Sequence, residues 1–342
     1  MPIDPADVEQ VRAALSELLV GRLGTEVRFA EAPEQLGRGF DTHIYAFRLE
    51  GDGVEPAWAA PLVLRLYTTP GQCEKAQREA AVQRFAAQQG YPALDPLVID
   101  GCAASFGLPV MVMERAPGVP MLERLGLSPA AVRRQFAAMA EAHVALHQLS
   151  IHGCPLPSSP PLIERLLGEL RERVARLLSH DLSEPLAWLE AHKGIVTTET
   201  VVLCHNDFHP LNIMVGVDGR LAVLDWSNAA LGDRHCDVAR TLALLEFGWI
   251  AAGNAMERLV LRVSRAFLAR CYVGPYGRQL AVDAERLRYW QAYHAVQAWA
   301  QLLELGDPGN RSMAGARPEA LARVPPGLLP HLRRYFWKRA RP

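Results

Sequence analysis

The chain has 342 residues, half of them hydrophobic, with 21% charged residues and a formal net charge of −1. This is ample apolar material for a sizeable core, in one large domain or two lobes. The balance excludes a disordered chain and a nucleic-acid binder that relies on a global basic field.

Apolar residues at Val8, Val11, Leu15, Leu18 and Leu19 predict a helix over 4–20. From Val27 to Leu66 the pattern is strand-like. Ile44, Ala46 and Phe47 follow a Gly-rich turn, and a second turn falls at Gly51-Asp52-Gly53. Pro61 to Tyr67 is then a short apolar run with one charge, Arg65, inside it. Glu74 to Gln89 reads as a helix, ended by Gly90 and followed by Pro92. Leu97–Ile99 and Pro109–Met113 read as two more strands. Residues 1–115 therefore form a small sheet carrying one helix, and Ala116-Pro117-Gly118 is the candidate linker.

Residues 116–342 read as mostly helical. Ser128 caps a helix with Pro129 in its first turn, running through Ala130 to Leu149. Further helices are expected at Leu162–Leu178, Asp237–Glu246, Met256–Cys271 and Ala284–Leu305. Between them, Val201–Leu224 is an island of short strands. The tail, Arg333 to Pro342, is basic and aromatic, and reads as an amphipathic end docked on the body.

The strand island carries the chemistry. Val201 to Leu203 delivers His205–Pro210 as a loop. Leu211–Val215 and Leu221–Leu224 are joined through Asp218-Gly219, a strong hairpin signal. That hairpin brings Asn212 and Asp225 towards each other at strand ends, and Asp207 lies on the loop feeding the same place. Two carboxylates and an amide make a hard-oxygen set suited to Mg²⁺. Phosphoryl transfer needs such a set, with one carboxylate to orient the attacking hydroxyl and a pair of groups to hold the metal. The order Asp, four residues, Asn, then a later Asp matches the catalytic loop of eukaryotic-like kinases. Here, however, Asn206 precedes Asp207, and Trp226-Ser227 follows Asp225.

These departures form a pattern of their own. His205-x-Asp207-x4-Asn212, then Asp225-Trp226, then Gly232-Asp233-x-x-x-Asp237-Val238-Ala239, resembles the aminoglycoside phosphotransferase and choline kinase-like superfamily. The resemblance implies an α+β, bilobal, protein-kinase-like fold that transfers the γ-phosphoryl group of ATP or GTP to a hydroxyl of a small molecule. It implies that Asp207 and His205 make up the catalytic pair, Asp207 orienting the hydroxyl and His205 buttressing the loop. Asn212 and Asp225 would be the Mg²⁺ ligands, and Asp237 would anchor the loop from the following helix.

The N-terminal half offers the nucleotide-binding parts. Gly37 and Gly39, in Leu36-Gly37-Arg38-Gly39, supply a loop over the phosphates, without a Walker A pattern. Arg65 stands where the family usually has Lys; some choline kinase-like members also use Arg, and a guanidinium holds phosphate by a different geometry. Lysine itself occurs only at 75, 193 and 338. Glu79 is the chosen partner of Arg65, with Glu74 as competitor. Met111 to Ala116 looks like the strand and hinge that hold adenine through the backbone from Glu114 to Ala116.

The acceptor side says less. Trp290, Tyr293 and His294 share a helical face and are candidates to stack on an acceptor, though core packing is the blander reading. The region carries no dense acidic run of the kind a polycationic aminoglycoside favours. A protein kinase is disfavoured, because no Asp-Phe-Gly or Ala-Pro-Glu follows. The alternative from another class is a non-catalytic nucleotide-binding regulator, supported by Arg65 alone. A hydrolase using Asp207 and Asp225 would act with no nucleotide present.

Six cysteines form no C-x-x-C pair, so free thiols in a reducing compartment are expected. Met1–Glu9 has no apolar signal core, and no apolar run is long enough to span a bilayer. The expectation is a cytoplasmic enzyme whose partner is a small hydroxylated molecule, not a membrane or a nucleic acid.

Overall fold

A computed structural model describes residues 2–38, 42–51, 55–125, 128–177, 180–198, 200–247, 255–306 and 327–341. The chain divides into two compact units. One comprises Met1–Pro120, Gly153–Pro155 and Ile213–Asn228; the other comprises Met121–His152, Leu156–Asn212 and Ala229–Pro342.

In the first unit, β1 (Arg28–Arg38), β2 (Thr42–Glu50), β3 (Leu62–Tyr67), β4 (Pro96–Ala103) and β5 (Leu108–Glu114) form one antiparallel sheet. Its order is β1-β2-β3-β5-β4. Side chains alternate across a strand, and the two faces are covered differently. Leu62, Leu64 and Leu66 point with Val110 and Val112 to the face under α1 (Val8–Leu23), which contributes Val11, Ala14, Leu15 and Leu19. Arg65 has the opposite parity and pairs across strands with Met111. On that second face, Met111 and Met113 pack with Ala80 of α3 (Cys73–Gln88). A short helix, α2 (Pro56–Ala59), had no sequence signal of its own.

The expected division at Arg115/Ala116 falls instead at Pro120/Met121, and Ile213–Asn228 joins the first unit. The reason is strand pairing. β6 (Val119–Pro120), β8 (Ile213–Val215) and β9 (Leu221–Val223) make a small antiparallel sheet, and Val223 N–H donates to the Pro92 carbonyl at 2.7 Å. Gly118 makes this approach feasible. Its φ is +88°, and a Cβ there would sit 2.0 Å from the Val215 carbonyl oxygen. Gly219, at φ +82°, closes the β8–β9 turn.

The second unit contains α4 (Pro129–His147), α5 (Leu162–Leu177), α6 (Ser183–His192), α7 (Arg234–Phe247), α8 (Ala255–Gln279), α9 (Ala284–Gly306) and α10 (Leu328–Ala340). A two-stranded ribbon pairs β7 (Val202–Cys204) with β10 (Ala230–Gly232). Its core packs α5, α6, α7, α9 and α10 through Leu167, Leu189, Cys236, Val296 and Phe336. The tail is a docked amphipathic helix, burying Leu332, Tyr335 and Phe336. Among the described residues no helix is long and apolar enough to cross a membrane. The expectation of free thiols fails at Cys73, which is disulfide-bonded; Cys154, Cys204, Cys236 and Cys271 carry no disulfide.

Candidate active site

The candidate residues fall into two groups, one within each unit. In the first, the parity of β3 turns Arg65 towards α3. Glu79 lies on the buried face of that helix, with Ala76, Ala80 and Gln83, whereas Glu74 is exposed. Arg65 Nη1 donates to Glu79 Oε1, and Nη2 donates to Asp225 Oδ1 at 3.3 Å. Tyr67 O–H donates to Glu79 Oε2 at 2.8 Å. The Arg65 side chain is only 13% exposed, so it does not point to solvent. Burial lowers its basicity, but Glu79 and Asp225 more than restore it, so it stays a cation. Burial pushes Glu79 up, and Arg65 pulls it back only in part.

Asp225 follows β9 in the left-handed region, at φ 61°, which a non-glycine residue adopts only at a cost. Its Oδ1 also accepts from Ser227 Oγ at 2.8 Å. Glu114 closes β5 opposite Leu62, and the next N–H, of Arg115, donates to the Pro61 carbonyl. Gly37 is the penultimate residue of β1, where an added Cβ would meet nothing within 4 Å. Gly39 lies outside the described residues.

In the second unit, a buried anchor shapes the catalytic loop. Asp237, on α7, accepts from the backbone N–H of His205 and, at 2.8 Å, of Asn206. Asn206 takes the left-handed conformation at φ 59°, which turns the chain into Asp207. His205 is fully buried, and its Nδ1 accepts the Asp207 N–H at 3.3 Å. It therefore meets the loop backbone from inside, buried away from solvent.

Asp207 meets two partners that the motif does not specify, an arginine and a histidine. Arg240 Nη2 lies 3.5 Å from Oδ1, and His209 Nε2 lies 3.6 Å from Oδ2. Burial pushes the carboxyl up, but His209, Arg240 and His205 outweigh it and hold Asp207 below the usual carboxylate range. His209 thus has an electrostatic part that a lone histidine beside a proline does not announce. Arg240 had no signal, since an arginine on a helix is ordinarily solvated.

Asn212 Nδ2 donates to the Asp207 carbonyl at 3.0 Å and to its Oδ2 at 3.2 Å. Both donor bonds hold the amide nitrogen and turn the amide oxygen the other way. Asn212 directly precedes Ile213, which pairs with Val223, and Asp225 lies two residues beyond that partner. An amide oxygen and a carboxylate are hard donors, and their chemistry fits Mg²⁺.

Asp237 is itself held from behind. His143 and His147, one turn apart on α4, bring Nε2 to 3.0 and 3.3 Å from its Oδ2. Their Nδ1 atoms are bonded to Tyr272 and Tyr276 O–H, each at 2.7 Å. The His143, His147 and Asp237 donor atoms lie within 4.8 Å of one another, a spacing also used for metals. The carboxylate is already taken by two backbone N–H groups, so the cluster acts as the loop's anchor. Burial pushes His147 down to about 4, hence it is neutral near pH 7.

The aromatic face of α9 belongs to the core. Trp290, Tyr293 and His294 are buried in the helical core. Trp290 Nε1 donates to Asp233 Oδ2 at 2.8 Å, and His294 Nε2 meets the Cys236 carbonyl at 3.0 Å. Their assignment to the acceptor is corrected accordingly, because a stripe at helical spacing reads the same for core as for ligand.

A five-stranded antiparallel sheet with α1 on one face and α3 on the other, followed by a mostly helical unit, is the layout of kinase-like proteins. Residues 33–305 match the model of the phosphotransferase enzyme family (APH), and the chain belongs to that family. An aminoglycoside 3′-phosphotransferase of Streptomyces fradiae is 31% identical over 198 residues, covering 53% of this chain and 65% of that protein. Acyl-CoA dehydrogenase family member 10 of mouse is 28% identical over 243 residues, 66% of this chain but 21% of that protein. The chain thus spans about two thirds and one fifth of these two relatives. Among solved structures, a putative aminoglycoside phosphotransferase from Ralstonia eutropha superposes with TM-score 0.68 at 18% identity, covering 96% of this chain and 97% of that one. A ternary complex of an aminoglycoside phosphotransferase with AMP-PNP and hygromycin B gives 0.60 at 18%, covering 91% and 98%. A macrolide 2′-phosphotransferase from Brachybacterium faecium gives 0.54 at 19%, covering 92% and 98%. At these identities the structures speak for the fold.

Proposed function

We propose that the protein transfers the γ-phosphoryl group of ATP or GTP to a hydroxyl of a small molecule. The observation that carries this is Asp207, a carboxylate held ionised by Arg240 and His209 on a loop pinned by Asp237. A carboxylate kept charged and fixed in place can accept a hydrogen bond from the acceptor hydroxyl and aim its oxygen for in-line attack. Asn212 and Asp225 would hold Mg²⁺. Held by these two residues, such an ion would supply charge neutralisation for the phosphates. Arg65, fixed by Glu79, offers its guanidinium to the phosphates, and its Nε is buried without a partner among the described residues. The relatives add the substrate class: one is named for aminoglycosides, and a neighbour of the same fold binds AMP-PNP and hygromycin B. A reaction that consumes a nucleotide triphosphate belongs with the nucleotide pool, in the cytoplasm.

A coupled nucleotide-consumption screen over hydroxylated metabolites and antibiotics tests this reading. One or more acceptors should drive Mg²⁺-dependent nucleotide consumption, and Asp207→Ala should abolish it while nucleotide binding survives. Full turnover by that variant on the same acceptor would sink the assignment.

A further inference from the structure

A cavity of about 640 Å³ lies in the second unit, where the last turn of α7 meets α8 and α10. Its wall carries five cationic side chains, on Arg262, Arg265, Arg334, Lys338 and Arg339, against one carboxylate, Glu246. That carboxylate is already shared, 3.4 Å from Arg265 Nη1 and 2.9 Å from His331 Nε2. Arg334 and Lys338 stand one turn apart on α10, exposed, with no carboxylate within 4.0 Å among the described residues. Arg339 is the most telling. Its Nε donates to Gln291 Oε1 at 2.8 Å, its Nη1 to the Tyr335 carbonyl at 3.2 Å, and the guanidinium stacks on the Tyr335 ring. All these partners are neutral. Burial pushes its basicity down, and Tyr335 and Glu246 restore only part of it. A desolvated cation without a close anion is costly, and like charges gathered round one cavity add to that cost.

We propose that this cavity binds a phosphate group carried by a small molecule. Phosphate satisfies the set in a way that one carboxylate does not: it brings about two charges and three acceptor oxygens to several donors at once. The volume exceeds what a bare phosphate needs and lies in the range of small-molecule sites. The cavity is also joined to the catalytic loop by one rigid element. Glu246 follows Arg240, the partner of Asp207, by six residues, about 9 Å along α7. A phosphate here belongs either to the acceptor itself or to a separate ligand, and the two sources are separable.

Pyrophosphate is the probe, titrated by calorimetry into protein saturated with Mg²⁺ and AMP-PNP so that a nucleotide site is filled. The expected result is one binding event, weakened about tenfold or more in Arg339→Gln and in the double variant Arg334→Gln/Lys338→Gln. The double variant changes only exposed side chains, so its fold, checked by melting, is expected to be intact. Equal affinity in wild type and both variants, or no binding at millimolar pyrophosphate, would overturn the proposal. A second arm compares phosphorylated and unphosphorylated polyols in the nucleotide-consumption assay. Turnover of a phosphorylated polyol, with KM raised in the double variant, assigns the phosphate to the acceptor. Pyrophosphate binding without such turnover assigns it to a separate ligand. The titration stands even if no acceptor is found, so failure of the phosphotransferase reading is distinguishable from failure of this one.

Discussion

Asp233 opens α7 and ties three segments together, so Asp233→Asn is a sharp perturbation. Its Oδ2 accepts from Arg286 Nη2 and from Trp290 Nε1, both at 2.8 Å, and its Oδ1 meets His235 Nδ1, also at 2.8 Å. Arg286 in turn donates to the Val196 carbonyl at 3.0 Å. Burial pushes the Asp233 carboxyl up, but His235 and Trp290 pull it down to about 2. The gap from the ordinary 3.8 corresponds to roughly 2–3 kcal/mol of stability at neutral pH. Removing one member of a buried pair costs about 3–5 kcal/mol, and Arg286 keeps 18% exposure, so the lower end applies. Asp233→Asn should therefore destabilise the helical unit by about 3 kcal/mol at pH 7. A carboxylate with a depressed folded value gives its full contribution above the unfolded value, near 4, and loses it as the pH falls to about 2. The difference between wild type and variant should consequently shrink between pH 4 and pH 2. Urea unfolding followed by tryptophan fluorescence across that range measures it. A cost below about 1 kcal/mol at pH 7, or a difference indifferent to pH, would refute the reasoning.

Two further outcomes follow from the site. Arg240→Gln removes a cation that holds Asp207 down, so its carboxyl should rise and the acidic limb of the pH–rate profile should move to higher pH. A profile unchanged in position would show that Arg240 does not govern Asp207. Asp225→Ala should weaken nucleotide binding in the presence of Mg²⁺ and make calorimetric titrations with and without EDTA coincide; a preserved EDTA effect would place the metal elsewhere.

Legibility followed how local the signal was. Arg65 stood out as the one charge in an apolar strand run, and Glu79 as a glutamate on the helix that follows, with Glu74 as its competitor until α3's buried face was seen. The Asp218-Gly219 turn similarly announced the β8–β9 hairpin. What escaped notice depended on tertiary context. β10 and α2 are too short to show a period, and α6 lacks a strong amphipathic stripe. Ile213–Asn228 joins the first unit through pairing with Pro120 and Pro92, residues about a hundred positions away. Arg240 and Arg339 are ordinary helical arginines until the fold supplies a neighbour. Trp290, Tyr293 and His294 misled because an aromatic stripe does not tell solvent from core.

The guanidinium on β3 has a practical consequence for chemical labelling. Lysine-acylating reagents find no amine on β3, because Arg65 is the basic residue of that strand and is held by Glu79. The amine on the neighbouring helix is Lys75, one turn before Glu79. Of these two elements only α3 offers an amine, and an arginine-directed dicarbonyl is the reagent whose chemistry matches the group on β3.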